Sequence, residues 1–104
     1  DGFVSVHAPF EGGALVTKPF RFTGSELELN FESSAAGELR VELQDEDGRP
    51  IEGFTADDCE VIFGNEISRV VRWSGEKELA DLAGRVVRMR IEMKDADLYS
   101  FQFR

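Results

Sequence analysis

Carboxylates are the best-supplied chemical groups in this chain. Asp57, Asp58 and Glu60 surround Cys59, Asp45 and Asp47 lie in the run DEDG at 45–48, and Asp95 and Asp97 lie in DAD at 95–97. Glycoside hydrolysis needs two carboxylates flanking the scissile bond, and Asp57, Asp58, Glu60, Asp95 and Asp97 supply such pairs on paper. Any acidic protein offers as much, and a small domain lacks the deep cleft this chemistry uses. The chain by itself is therefore read as a non-enzyme. Hard-cation binding is the competing use, because Asp45, Asp47, Asp95 and Asp97 stand in oxygen-rich turns of the kind that hold structural calcium. DEDG lacks the spaced acids and distal Glu of a helix-loop-helix calcium loop, and turn hydrogen bonds satisfy such Asp side chains without an ion.

The remaining candidates are few. A single cysteine and a single histidine exclude an intrachain disulfide framework, a multi-thiolate zinc site and a His-rich metal cluster. Three neighbouring acids deny Cys59 the electropositive setting of a reactive thiolate. Beside Val61, Ile62 and Phe63 it reads as a small buried hydrophobe. His7, on the opening segment, reads as a surface or inter-domain group. No cofactor is expected, structural calcium apart.

Sugar binding makes a different demand, an exposed aromatic face beside polar groups that bond hydroxyls. The outward positions of the clearest strands carry Glu26, Glu28, Asn30, Glu38, Arg40, Glu42, Arg88, Arg90, Glu92, Ser100 and Gln102, without an aromatic. A stacking platform across a sheet face is thus not expected. The aromatics left for a ligand are turn residues, chiefly Phe54 and Phe63, with Phe10 and Phe20, and Tyr99 near the end. Loops carrying Phe54, Asp57, Asp58, Phe63 and Tyr99 at one end of the fold form the candidate glycan site. Trp73, in phase with Val71, is expected in the core.

The elements that must position these residues follow a period of two, the mark of strands with one buried face. Leu27, Leu29 and Phe31 alternate with Glu26, Glu28 and Asn30, and Leu39, Val41 and Leu43 with Glu38, Arg40 and Glu42. The small residues SSAAG between these runs predict a hairpin loop. Val87, Met89, Ile91 and Met93 form a third run, and Tyr99, Phe101 and Phe103, in phase after DAD, a fourth. Ile67, Val71 and Trp73 form a fifth, and Phe3, Val4 and Val6 with Leu15, Val16, Phe20 and Phe22 predict two more, about seven strands in all. Asp47-Gly48 followed by Pro50 marks a turn. Thr55 and Asp58 have capping-box spacing with Gly64 as a stop, and Leu79 and Leu82 before Gly84 suggest two helical turns. Turn-linked strands without alternating helices predict an all-β, antiparallel β-sandwich of jelly-roll-like form, with one or two short loop helices. Glu-Arg pairs between the acidic strand at 26–32 and the basic strand at 86–94 are expected to cover a solvent face.

The size of 104 residues fits one domain, 1–104. A net charge of −9 argues against nucleic acid and anionic membranes as partners. The excess is local: residues 44–66 carry eight acids and one cation, whereas 67–104 carry six acids and eight cations. No apolar run approaches the ~20 residues that cross a bilayer. The chain starts without Met, which predicts a removed leader or a domain excised from a longer polypeptide.

The segments DGFVSVHA, GGALVTKPFRFTG, GELRVELQDEDGRPIEGFTADDCEVIFGNEISRVVRW and LAGRVVRMRIEMKDADLYSFQF span nearly the whole chain. Together they resemble a C-terminal module of bacterial secreted proteins related to glycoside hydrolases. The matching residues are Asp1 to Val4, Gly53 and Phe54, Asp57 to Cys59, Gly64, Trp73, Gly84 and Asp95 to Phe101. The resemblance implies a jelly-roll β-sandwich that follows a β-propeller or similar catalytic-type domain, and a secreted or periplasmic location. It implies a non-catalytic accessory role, packing on the preceding domain and stabilising it, or alternatively carbohydrate binding. It transfers no ligand residue by residue.

Overall fold

The computed structural model describes residues 2–8 and 12–104, with side chains described at 12–64 and 69–104. Five strands, β1 (Gly2–Ala8), β2 (Gly13–Val16), β3 (Leu27–Asp45), β4 (Asn65–Val70) and β5 (Val87–Phe103), form one antiparallel sheet. Its order is β1-β5-β3-β4, and β2 also pairs with β5. Phe3, Val4, Val6 and Ile67 fall on β1 and β4, where side chains lie outside the described ones, as does that of His7; Phe10 lies outside the described residues.

The centre of the fold is a long two-stranded ribbon. The runs at 27–31 and 39–43 do not form a hairpin with each other; they belong to β3 throughout, and both pair with β5. Likewise the runs on either side of DAD are one strand, so seven expected strands become five among the described residues. At the join Ser33 pairs with Ala96 and Glu38 with Lys94, leaving residues 34–37 of β3 opposite Asp95 alone. SSAAG is therefore a bulge, built from the same small residues that would make a hairpin loop. Gly37 is required there, because a Cβ would lie 2.4 Å from the Asp95 carbonyl oxygen. Asp95 itself takes a left-handed conformation, φ 45°.

Each bulge shifts which residues face inward. On β5 the buried set is Val87, Met89, Ile91 and Met93 before Asp95, then Ala96 and Leu98 after it. A second shift between Leu98 and Ser100 leaves Tyr99 over, and Phe101 and Phe103 then pack against the core. Tyr99 thus leaves the face it was expected to share with them. Buried residues from both halves of the ribbon enter one cluster, including Leu27, Leu29 and Phe31 from one half and Leu39, Val41 and Leu43 from the other. Each such side chain contributes about 1.5–3 kcal/mol when fully withdrawn from water.

Two helical expectations shrink. Leu79–Leu82 makes one 3-10 turn that buries both leucines, with Gly84 left-handed beyond it at φ 86°. Thr55 to Asp58 is a turn closed by Asp58 N–H and Cys59 N–H to the Thr55 carbonyl. The Asp47-Gly48 turn forms as expected, with Gly48 at φ 87° and Pro50 bridged to Gln44.

The charged face also differs from expectation. The basic strand lies against 38–45, with Arg40 opposite Glu92 and Glu42 opposite Arg90, whereas Glu28 faces Gln102. Glu42 and Gln44 are not solvated. Glu42 accepts from Ala56 N–H at 3.2 Å and from the Gln44 amide at 2.8 Å, as the 55–58 turn folds over them. No helix among the described residues is long and apolar enough to cross a membrane.

Candidate functional site

The acidic turn is tied into the fold. The Thr55 hydroxyl donates to Asp58 Oδ2 at 2.9 Å and accepts from Asp58 N–H at 3.3 Å, half of a capping box, the carboxylate meeting the hydroxyl instead of the Thr55 amide. Cys59 Sγ accepts from Val41 N–H at 3.3 Å and donates to the Glu60 carbonyl. Burial pushes the thiol pKa up, and the Val41 N–H opposes that shift in part. The Trp73 indole N–H donates to the Val41 carbonyl at 2.9 Å while its ring meets Phe54 edge-on at 5.3 Å. Trp73 is partly buried against the core, and Phe54, 1% exposed, has no face left for a sugar. Asp57 is exposed and Asp58 half-buried.

The other two aromatics of the expected site lie elsewhere. Phe54 is bonded to Leu43 through its backbone, whereas the Gly64 amide and carbonyl clasp Ser33, ten residues earlier on β3. Phe63, next to Gly64, is 61% exposed. On the adjacent register position Glu32 pairs with Asp97, and Asp97 with His7 of β1. Tyr99, 40% exposed, donates its hydroxyl to Glu32 Oε2 at 3.1 Å, and this bond to an anion raises the phenol pKa. The five residues Phe54, Asp57, Asp58, Phe63 and Tyr99 therefore divide into a buried-edge group near Leu43 and an exposed pair near Glu32. Sequence reading missed Glu32, because nothing in the alternation of β3 distinguishes it from Glu28.

The four aspartates proposed for calcium divide in the same way. Asp45, opposite Val87 at the start of β5, accepts from Asp47 N–H at 2.9 Å and Arg49 N–H at 3.0 Å, holding its own turn. Asp95 and Asp97 lie far along β5, at the bulge and opposite Glu32. Among the described residues, no group of three or more His, Cys, Asp or Glu is arranged to hold a metal ion.

A groove that sequence reading did not assemble lies between residues 17–23 and the end of β5. It measures about 860 Å³ and is lined by Phe20, Phe101 and Phe103, with Lys18, Arg21 and Gln102 among its polar residues. Phe20 pairs with Val87 through its backbone, yet its ring lies 5.7 Å from that of Phe103. Phe22 stacks on Phe103 at 4.3 Å. The alternation in PFRF and FQF was the available signal, but it carries no information that 80 residues of chain bring the two together. No family model, curated protein or solved structure matches the chain.

Proposed function

We propose that this domain is a non-catalytic accessory module of a secreted glycoside hydrolase-like protein, packing on its catalytic-type domain and stabilising it. The observation that carries this reading is how the chemically able side chains are employed. Cys59, Asp45 and Glu42 accept from backbone amides, Trp73 donates to a backbone carbonyl, and Asp58 closes its own turn. Groups committed to the fold in this way are poorly placed to bind and release a substrate. The exposed Phe63 and Tyr99, flanking the carboxylates of Glu32 and Asp97, supply the mixed apolar and polar surface on which a neighbouring domain docks.

A jelly-roll-like sandwich is the arrangement proposed for the ribbon. Both halves feed one core, and Phe20 links Val87 to Phe103, so the two ends of β5 approach each other. Hydrogen exchange tests the packing. In the longer polypeptide, amides around Ser33, Gly64 and Tyr99 are expected to exchange more slowly than in the isolated domain; equal rates throughout oppose the docking reading.

Carbohydrate binding is kept as the second reading because partly exposed aromatics remain, at Phe63, Tyr99 and the phenylalanine groove. Titration of the isolated domain against a saccharide panel separates the two readings, and absence of binding across the panel leaves the accessory role alone.

A further inference from the structure

The groove between residues 17–23 and the end of β5 differs in charge from the molecule that carries it. The chain holds 21 acids against 12 cations, yet the groove lining contains Lys18 and Arg21 and no acid. Four cations elsewhere are neutralised: Arg40 pairs with Glu38 at 3.0 Å, Arg90 with Glu92, Lys77 with Glu52 at 3.6 Å and Arg104 with Glu28 at 3.0 Å, whereas Arg49, Arg72 and Arg85 are exposed without an ion pair among the described residues and do not line this groove. Lys18 and Arg21 are exposed and form no ion pair among the described residues. Between them the partly buried rings of Phe20, Phe101 and Phe103 form an apolar floor, and Gln102 adds an amide able both to donate and to accept.

This combination has a definite complement. An apolar ring face suits the C–H face of a pyranose, an amide suits its hydroxyls, and two unneutralised cations suit a carboxylate on the same ring. The volume of about 860 Å³ lies within the range of small-molecule sites and admits a short oligosaccharide. We infer that the groove binds an acidic saccharide, a pyranose bearing a carboxylate, with the sugar face on Phe20 and Phe103 and the carboxylate at Lys18 and Arg21. The inference rests on the carbohydrate-binding reading above and moves its site from the Phe54 and Tyr99 loops to this groove.

Calorimetric titration of the 104-residue chain with an oligogalacturonate tests it, using the methyl-esterified oligomer as a probe of equal shape without charge. The free-acid oligomer is expected to bind and the ester to bind about tenfold or more weakly, with the difference shrinking as salt rises. The double variant Lys18→Glu/Arg21→Glu, changed only at exposed positions, is expected to keep its circular dichroism and melting curve and to lose binding of the acid. Phe20→Ala is expected to weaken both oligomers. Three results overturn the assignment: equal affinity for acid and ester, binding of the acid unchanged in the double variant, or no binding of the acid. Binding that survives the double variant and disappears in Phe63→Ala or Tyr99→Ala returns the glycan to the loops, so carbohydrate binding stands while the groove falls. No binding of any panel saccharide removes both.

Discussion

Tyr99 is the chain's single tyrosine, so its ionisation is seen alone in ultraviolet absorbance. Its hydroxyl donates to Glu32, which holds the proton on the phenol to higher pH than in a free tyrosine. Glu32→Gln is expected to return the midpoint toward the ordinary value of about 10. An unchanged midpoint contradicts the bond. Cys59 is the residue where protonation bears on stability. Its folded pKa is raised, so the native state holds the proton after the unfolded thiol has released it. The thiol's contribution is complete below about pH 8.5, the unfolded value, and is lost as pH rises through the folded value. Denaturant unfolding at pH 7 and pH 10 is expected to differ less in Cys59→Ala than in the parent, and an identical difference refutes this. At pH 7 the same variant leaves the Val41 amide without its acceptor, at a cost of about 1–3 kcal/mol.

Among the elements, the alternation of Leu27, Leu29 and Phe31, of Leu39, Val41 and Leu43, and of Val87, Met89, Ile91 and Met93 was legible directly, and all of these are buried. Periodicity of two reports the buried face of a strand and nothing about its partner. SSAAG and DAD carry the signals of turns, and only the pairing of both flanks with one strand makes them bulges. The slip at Tyr99 is equally invisible, since one extra residue reverses the inward face without changing composition. Of the candidate site, the burial of Cys59 and the core packing of Trp73 were readable from neighbours. The separation of Phe54 from Phe63 was not, because it depends on where each turn meets β3. Gly37 is the sharpest test of the ribbon. A Cβ there meets the backbone of Lys94 and Asp95, which cannot move aside as a flexible side chain can. Gly37→Ala is expected to destabilise the fold by about 2 kcal/mol or more, measured by urea unfolding. Ser34→Ala, at an exposed position of the same bulge, stays within about 0.5 kcal/mol. A neutral Gly37→Ala places the β3–β5 register elsewhere.

At the scale of the whole molecule the acidity acquires a location. The densest segment, residues 44–66, forms the Asp45 turn and the Thr55–Asp58 turn beside β3, and two of its carboxylates, those of Asp45 and Asp58, hold these turns. Lys18 and Arg21 border the phenylalanine groove, which begins beside that Asp45 turn, since Val87 meets both Asp45 and Phe20 and Arg88 donates to the Glu46 and Thr17 carbonyls. A domain so constructed is stable through its own core and presents Phe63, Tyr99 and the groove outward. The role proposed for it is support for a neighbouring domain, which a thermal unfolding experiment measures directly. The longer polypeptide that this proposal requires is compared with a version lacking residues 1–104. The proposed neighbouring domain is expected to melt several degrees lower without the module, since 1 kcal/mol corresponds to about 2–4 °C in a domain of 150–250 residues. An unchanged melting temperature contradicts the stabilising role.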